Sequence, residues 1–191
     1  MFFRRKKFLF SLIAFVILVI FQRITPQEQV LSQKIIPSQI TPTTQVEQSV
    51  KEEVSVTKVV DGDTVEVLLN GKKEKVRVIG INTPETVDPR RPVQCFGKEA
   101  SNFAKQTLTG ENVTLESDPT QSNRDKYGRL LRYIFLSDID FGKQMIEQGY
   151  AHEYTYDIPY KYQSAYQAAE RQAREGKKGL WSNSACPQGT S

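Results

Sequence analysis

From Val54 onward the chain alternates apolar and polar residues in short bursts broken by Gly and Asn. Val54, Val56 and the pair Val59-Val60 mark one strand, and Thr64 to Leu69 a second, because β-branched residues at a period of two give one face to a core. Asn70-Gly71 follows. It is a two-residue hairpin signal, since both residues tolerate positive φ. Lys75 to Ile81 predicts the returning third strand, with Val76 and Val78 alternating against Lys75, Arg77 and Ile79. The period then lengthens. Ala100, Phe103, Ala104, Thr107 and Leu108 share one face of a helix over 97–109, and Gly110 stops it. Val113 to Glu116 and Leu130 to Leu136 predict two more strands around the polar loop Ser117 to Gly128. Phe141 to Gly149 predicts a short helix, and Tyr160 to Gly176 a longer one carrying Ala165, Ala168, Ala169 and Ala173. Short strands in this order, with helices after the third and after the fifth, predict an α+β fold: a five-stranded OB-type β-barrel with three helices.

Upstream the pattern is different. Arg4-Arg5-Lys6-Lys7 precedes an apolar run from Phe8 to Phe21 interrupted only by Ser11. A basic flank before such a run is an export signal. The run has 14 residues, fewer than the roughly 20 a bilayer span needs. No small-x-small cleavage site follows it closely, so a cleaved signal peptide and an uncleaved membrane anchor both remain open. Residues 22–53 are rich in Gln, Thr, Ser and Pro without a sustained period, the composition of a flexible tether. The expected organisation is an export segment over 1–21, a linker over 22–53, the folded domain over 54–185 and a tail over 186–191. The domain is expected outside the cytoplasm, secreted or anchored, as a monomer.

Charge changes the picture less than the total suggests. The net charge is +4, but residues 1–23 carry five positive charges and no negative ones, while residues 54–191 carry nineteen and eighteen. The basic pI reports the export segment and is no electrostatic footprint for nucleic acid. Any recognition of phosphate must come from a few placed side chains. The two cysteines, Cys95 and Cys186, both follow the export segment. Outside the cytoplasm two thiols in one small domain tend to pair. The alternative is two free thiols. Without a CxxC or Cys/His cluster, a zinc site is not expected.

Three motifs carry candidate chemistry. Asp61-Gly62-Asp63-Thr64 sets carboxylates beside a glycine turn between two strands, offering hard oxygen ligands. Arg77 is followed by Asn82-Thr83-Pro84-Glu85, where Pro84 fixes its own φ and biases Thr83 toward extended geometry. Arg124-Asp125-Lys126-Tyr127-Gly128-Arg129 is a charged loop entering a strand. Each alone is compatible with an ordinary turn, cap or solvated loop. Together they supply what phosphodiester hydrolysis uses: oxygen ligands for a divalent cation, a carboxylate to deprotonate water, and guanidinium groups for phosphoryl oxygens.

The segments VVDGDTVEV, RVIGINTPET, CFGKEASNFA, DKYGRLLRYIF and GKKGLW, in this order, resemble the staphylococcal (thermonuclease) nuclease family over roughly residues 54–182. The resemblance implies a Ca²⁺-dependent endo/exonuclease acting on DNA and RNA and leaving 3′-phosphates. It implies Arg77, Glu85 and Arg129 as catalytic residues, and Asp63, Asn82 and Thr83 (through its carbonyl) as calcium ligands. It implies Lys126 and Tyr127 as substrate contacts, with Tyr154 and Tyr156 near stacking positions. One position departs from the family. Asn82 stands where an aspartate is usual, so the site loses a formal charge and calcium affinity is expected to fall. His152, the only histidine, has no partner motif and is expected to be structural. The rival reading is a non-catalytic nucleic-acid or protein-binding module on the same fold, tethered to the membrane; the presence of Arg77, Glu85 and Arg129 together argues against it.

Overall fold

The computed structural model describes residues 49–86 and 92–186. The expected export segment and most of the linker lie outside the described residues. Among the described residues no helix is long and apolar enough to cross a membrane.

Strands β1 (Lys51–Asp61), β2 (Thr64–Leu69) and β3 (Lys72–Val78) form an antiparallel meander. Asn70 and Gly71, at φ 51° and 75°, make the tight turn between β2 and β3. The two-residue strand β4 (Ile81–Asn82) leads to helix α1 (Gly97–Leu108), and β5 (Asn112–Glu116) and β6 (Leu130–Leu136) follow. β1 pairs β5, β5 pairs β6, and β6 runs parallel to β3, so five strands close into a barrel. The end of β6 carries the short β7 (Ile139–Asp140); α2 (Phe141–Glu147), β8 (His152–Glu153) and α3 (Gln163–Glu175) complete the order. The α+β class, the barrel of five strands and the helices read from the sequence are all present.

The barrel is filled by the alternating positions. Val56, Val65, Val67, Val76, Leu115 and Ile134 are all at most 2% exposed, and α1 adds Ala100, Ala104 and Leu108 from one face. Burying such side chains contributes about 1.5–3 kcal/mol each for the larger ones. Glu116 and Asp118 are also buried, but both are satisfied. Lys161, Tyr162 and Lys51 surround Glu116, and Asp118 accepts from Tyr133 Oη at 2.5 Å and Lys161 N–H at 2.8 Å.

Among the boundaries that differ from the sequence pattern, three have a reason in the hydrogen bonding. β1 begins at Lys51, three residues ahead of Val54, because Lys51 to Glu53 pair with Glu116 to Thr114. The third strand ends at Val78, and Ile81-Asn82 leave the barrel to pair with His152-Glu153. The last helix begins at Gln163 rather than Tyr160. There the Lys161 N–H is spent on Asp118 and the Tyr160 hydroxyl on Glu153. A disulfide joins Cys95, just ahead of α1, to Cys186 beyond the 3₁₀ turn Gly179–Trp181.

Candidate active site

The barrel places the first motif at the end of β1, where the ladder with β2 is irregular between Val59 and Asp61. Such an irregularity re-aims side chains, and here it buries both carboxylates: Asp61 is 6% and Asp63 8% exposed. Asp61 Oδ1 accepts from Gly62 N–H at 2.8 Å and Thr86 Oγ1 at 2.7 Å. Asp63 Oδ2 accepts from the backbone N–H and the hydroxyl of Thr83, both at 3.0 Å. Oδ1 of Asp63 takes the Thr64 hydroxyl at 3.0 Å. Burial raises the Asp61 carboxyl above its ordinary range, and the charges of Asp63 and Glu85 push the same way against its hydrogen bonds. Asp61 therefore feels both of its acidic neighbours at this turn.

The second motif locks onto the first. Thr83 packs on Gly62 so closely that a Cβ there would stand 2.7 Å from Thr83 Cγ2. Arg77, projecting from β3, lies with Nη2 3.3 Å from Asp63 Oδ2 and 3.4 Å from Asn82 Oδ1. Its Nη1 donates to the Val78 carbonyl at 2.7 Å. The guanidinium is thus aimed before any substrate arrives. Glu85 follows Pro84, half-buried, with its N–H donated to Gln94 Oε1 at 2.7 Å.

The third motif comes round through the parallel pairing of β6 with β3, in which Leu131 faces Arg77. Arg129 donates from Nε and Nη2 to Asp125 Oδ2, both at 2.6 Å, and Nη1 lies 3.4 Å from Thr64 Oγ1. Burial works against the Asp125 charge, but the Arg129 side chain and the Arg129 and Tyr127 amides hold its carboxyl below the usual range. The Tyr127 ring lies under both Lys126 and Arg129, at 5.2 and 5.3 Å from centroid. A cleft of about 380 Å³ runs from Arg77 and Arg129 past Lys126 and Tyr127 to Tyr154 and Tyr156. Those two rings are 6.3 Å apart. Tyr127 and Tyr156 are 73% and 75% exposed, so both offer open faces.

The sequence-named residues thus gather on one end of the barrel. Asp63, Thr83, Arg77 and Asn82 interlock, Arg129 reaches the same turn through Thr64, and Lys126, Tyr127 and Tyr156 line the adjoining cleft. Thr83 binds Asp63 through its amide and hydroxyl. His152 is set aside, its ring perpendicular to that of Trp181 with centroids 4.9 Å apart and its Nδ1 3.6 Å from Glu170. The sequence reading gave no role to Asp125, which orients Arg129, although the i, i+4 spacing of opposite charges was a usable signal. Thr86 and Gln94 carried no signal at all.

The donor chemistry suits a hard divalent cation. Carboxylate, amide and carbonyl oxygens are available, with neither thiolate nor converging imidazoles. Among the described residues no three acidic, histidine or cysteine side chains form a cage by themselves. A cation held by these oxygens would need water and substrate oxygens to complete its shell.

Sequence comparison places this geometry among known proteins. A family model described as staphylococcal nuclease homologue matches residues 75–183. The thermonuclease of Staphylococcus hyicus is 44% identical over 128 residues, 67% of this chain and 75% of that protein. The thermonuclease of Staphylococcus intermedius is 41% identical over 126 residues, 66% of this chain and 74% of the relative. Endonuclease YncB of Bacillus subtilis (strain 168) is 36% identical over 132 residues, 69% and 62% of the two chains.

Proposed function

The chain belongs to the staphylococcal nuclease homologue family, and from that premise we propose that it is an exported, Ca²⁺-dependent nuclease cleaving the phosphodiester bonds of DNA and RNA. What supports the reading is one juxtaposition: Arg77, Arg129 and Glu85 all bear on the single turn Asp61–Thr64, the first two by contact and the third by its charge.

In this proposal Glu85 takes a proton from the attacking water as the water oxygen bonds to phosphorus. The P–O5′ bond breaks, its electron pair goes to the 5′-oxygen, which takes a proton from solvent and leaves as a 5′-hydroxyl, and a 3′-phosphate remains. Arg77 and Arg129 hold the phosphoryl oxygens where negative charge grows, and their protein partners keep both guanidiniums aimed beforehand. Asp63, Asn82 and the Thr83 carbonyl would hold Ca²⁺, which supplies a positive charge to polarise the phosphate. Lys126 and Tyr127 would receive a flanking phosphate, and Tyr156 would stack on a base. Stacking and phosphate contacts carry little sequence information, so one cleft accepts both nucleic acids.

The test is release of acid-soluble nucleotides from single-stranded DNA at Ca²⁺ from about micromolar to tens of millimolar, the range over which such sites bind. Activity that requires calcium and vanishes in Glu85→Gln is expected; silence across the whole range would end the enzyme reading. Export by the N-terminal segment belongs to the same proposal. N-terminal sequencing of the mature protein separates a released enzyme from an anchored one.

A further inference from the structure

Glu85 is the group on which the proposed reaction turns, and the structure shows what holds its backbone. On the upstream side stand Pro84 and the Thr83–Asp63 bonds. On the downstream side one residue occupies both of its main-chain polar groups. The Glu85 N–H donates to Gln94 Oε1 at 2.7 Å, and the Glu85 carbonyl accepts from the Gln94 N–H at 2.9 Å. Gln94 is exposed, so these bonds are not a by-product of core packing.

Gln94 is itself fixed. Cys95, the next residue, is bonded to Cys186, and α1 starts at Gly97. A Cβ at Gly97 would stand 2.7 Å from Thr86 Cγ2 and 3.2 Å from the Glu85 carbonyl oxygen. Only a glycine lets the first turn of the helix lie against the Pro84–Thr86 segment. The catalytic segment is therefore clasped between the Gly62 turn and the start of α1, and Gln94 is the clasp on the α1 side.

We propose that Gln94 is a positioning residue for Glu85, setting the angle at which its carboxylate meets the attacking water. The proposal rests on the reading of Glu85 as the general base. An amide suits the task because it accepts the N–H bond without adding a charge beside Asp61, Asp63 and Glu85. Gln94→Ala keeps the backbone bond and loses the side-chain acceptor; Gln94→Glu keeps the acceptor.

The test is a kinetic cycle with amide exchange as a direct readout. Gln94→Ala should lower kcat roughly tenfold, the scale of a misplaced reacting group, with KM within about twofold. The Glu85 amide should exchange faster in Gln94→Ala than in the parent, and Gln94→Glu, which keeps the acceptor but adds a charge, should restore slow exchange and only part of kcat. In a Glu85→Asp background, which keeps a carboxylate but already displaces it, the further loss of kcat from Gln94→Ala should be much smaller than in the parent. If Gln94→Ala unfolds the protein, Gln94→Met, of similar length and without the acceptor, replaces it in the cycle. An unchanged kcat in the variant beside an inactive Glu85→Gln overturns the proposal alone. Equal losses in the parent and Glu85→Asp backgrounds do the same, because a purely structural defect would act wherever the carboxylate stood. A fully active Glu85→Gln instead overturns the base assignment, and the positioning role with it.

Discussion

The turn Asp61–Thr64 braces Arg77 and the loop Arg124–Arg129 carries Arg129, yet the two are built in opposite ways. In the turn the acidic groups are buried, Asp63 being 8% exposed and Thr83 beside it 5%, and besides their neighbours in the turn they are held from elsewhere in the fold by Thr83, Thr86 and Arg77. In the loop the binding groups point outward, Tyr127 being 73% exposed, and the contacts are largely among the loop's own residues. A buried, cross-braced site suits groups that must meet a phosphorus atom in one geometry. An exposed, self-braced loop suits groups that receive polymers of varied sequence. The expected division is that changes in the turn cost stability and kcat together, while changes in the loop and cleft cost affinity.

The sharpest test is Gly62→Ala. The added methyl would meet Thr83 at 2.7 Å, so the turn must open. Overpacking of this kind costs about 1–3 kcal/mol, and the melting temperature and kcat should fall together, kcat by roughly a hundredfold. A variant that melts normally yet is inactive would break the link between brace and chemistry. Asp125→Asn probes the ion pair that orients the Arg129 guanidinium from the loop side. It should lower kcat by about tenfold with a modest rise in KM. Its stability penalty has a predictable pH dependence. The folded pKa of Asp125 is depressed, so its contribution is complete above the unfolded value of about 4 and is lost as pH falls through the folded value. Melting curves of parent and variant should therefore converge in acid. Tyr156→Ala should raise KM by about three- to tenfold, within the energy of one base stacked on an aromatic ring, and leave the melting temperature unchanged. Smallest is Asn82→Asp. The added carboxylate should tighten apparent Ca²⁺ affinity by a few-fold, since ligand charge tunes such sites. No tightening in calcium titration would remove Asn82 from the ligand set.

The same contrast governs what could be read from the sequence. The barrel strands announced themselves through the alternation of Val65, Val67, Val76 and Val78, because one side of each faces the core and the other does not. The chemistry announced itself through residue types in motifs of fixed spacing. What did not show was the bracing. Gln94 reaches Glu85 over nine residues, and Thr86 reaches Asp61 over twenty-five, as single side-chain bonds that no period encodes. The pairing of Ile81-Asn82 with His152-Glu153 was equally hidden, because strands of two residues are too short to display alternation. Tyr160 and Lys161 read as helix on propensity, yet their polar groups are claimed by Glu153 and Asp118, and tertiary bonds outweigh a weak local preference.

The barrel closes on itself through the parallel pairing of β3 with β6, whose members lie some fifty residues apart, Val76 facing Leu130. Joining such distant segments carries a loop-closure entropy that neither strand recovers until the ring is complete. Arg77 sits on one lip of that seam and Arg129 enters the other. A chain with only its hairpin and helices formed would hold one guanidinium without the other. Catalytic competence would then serve as a reporter of topological completion, silent in partly assembled chains and gained in the step that seals the ring.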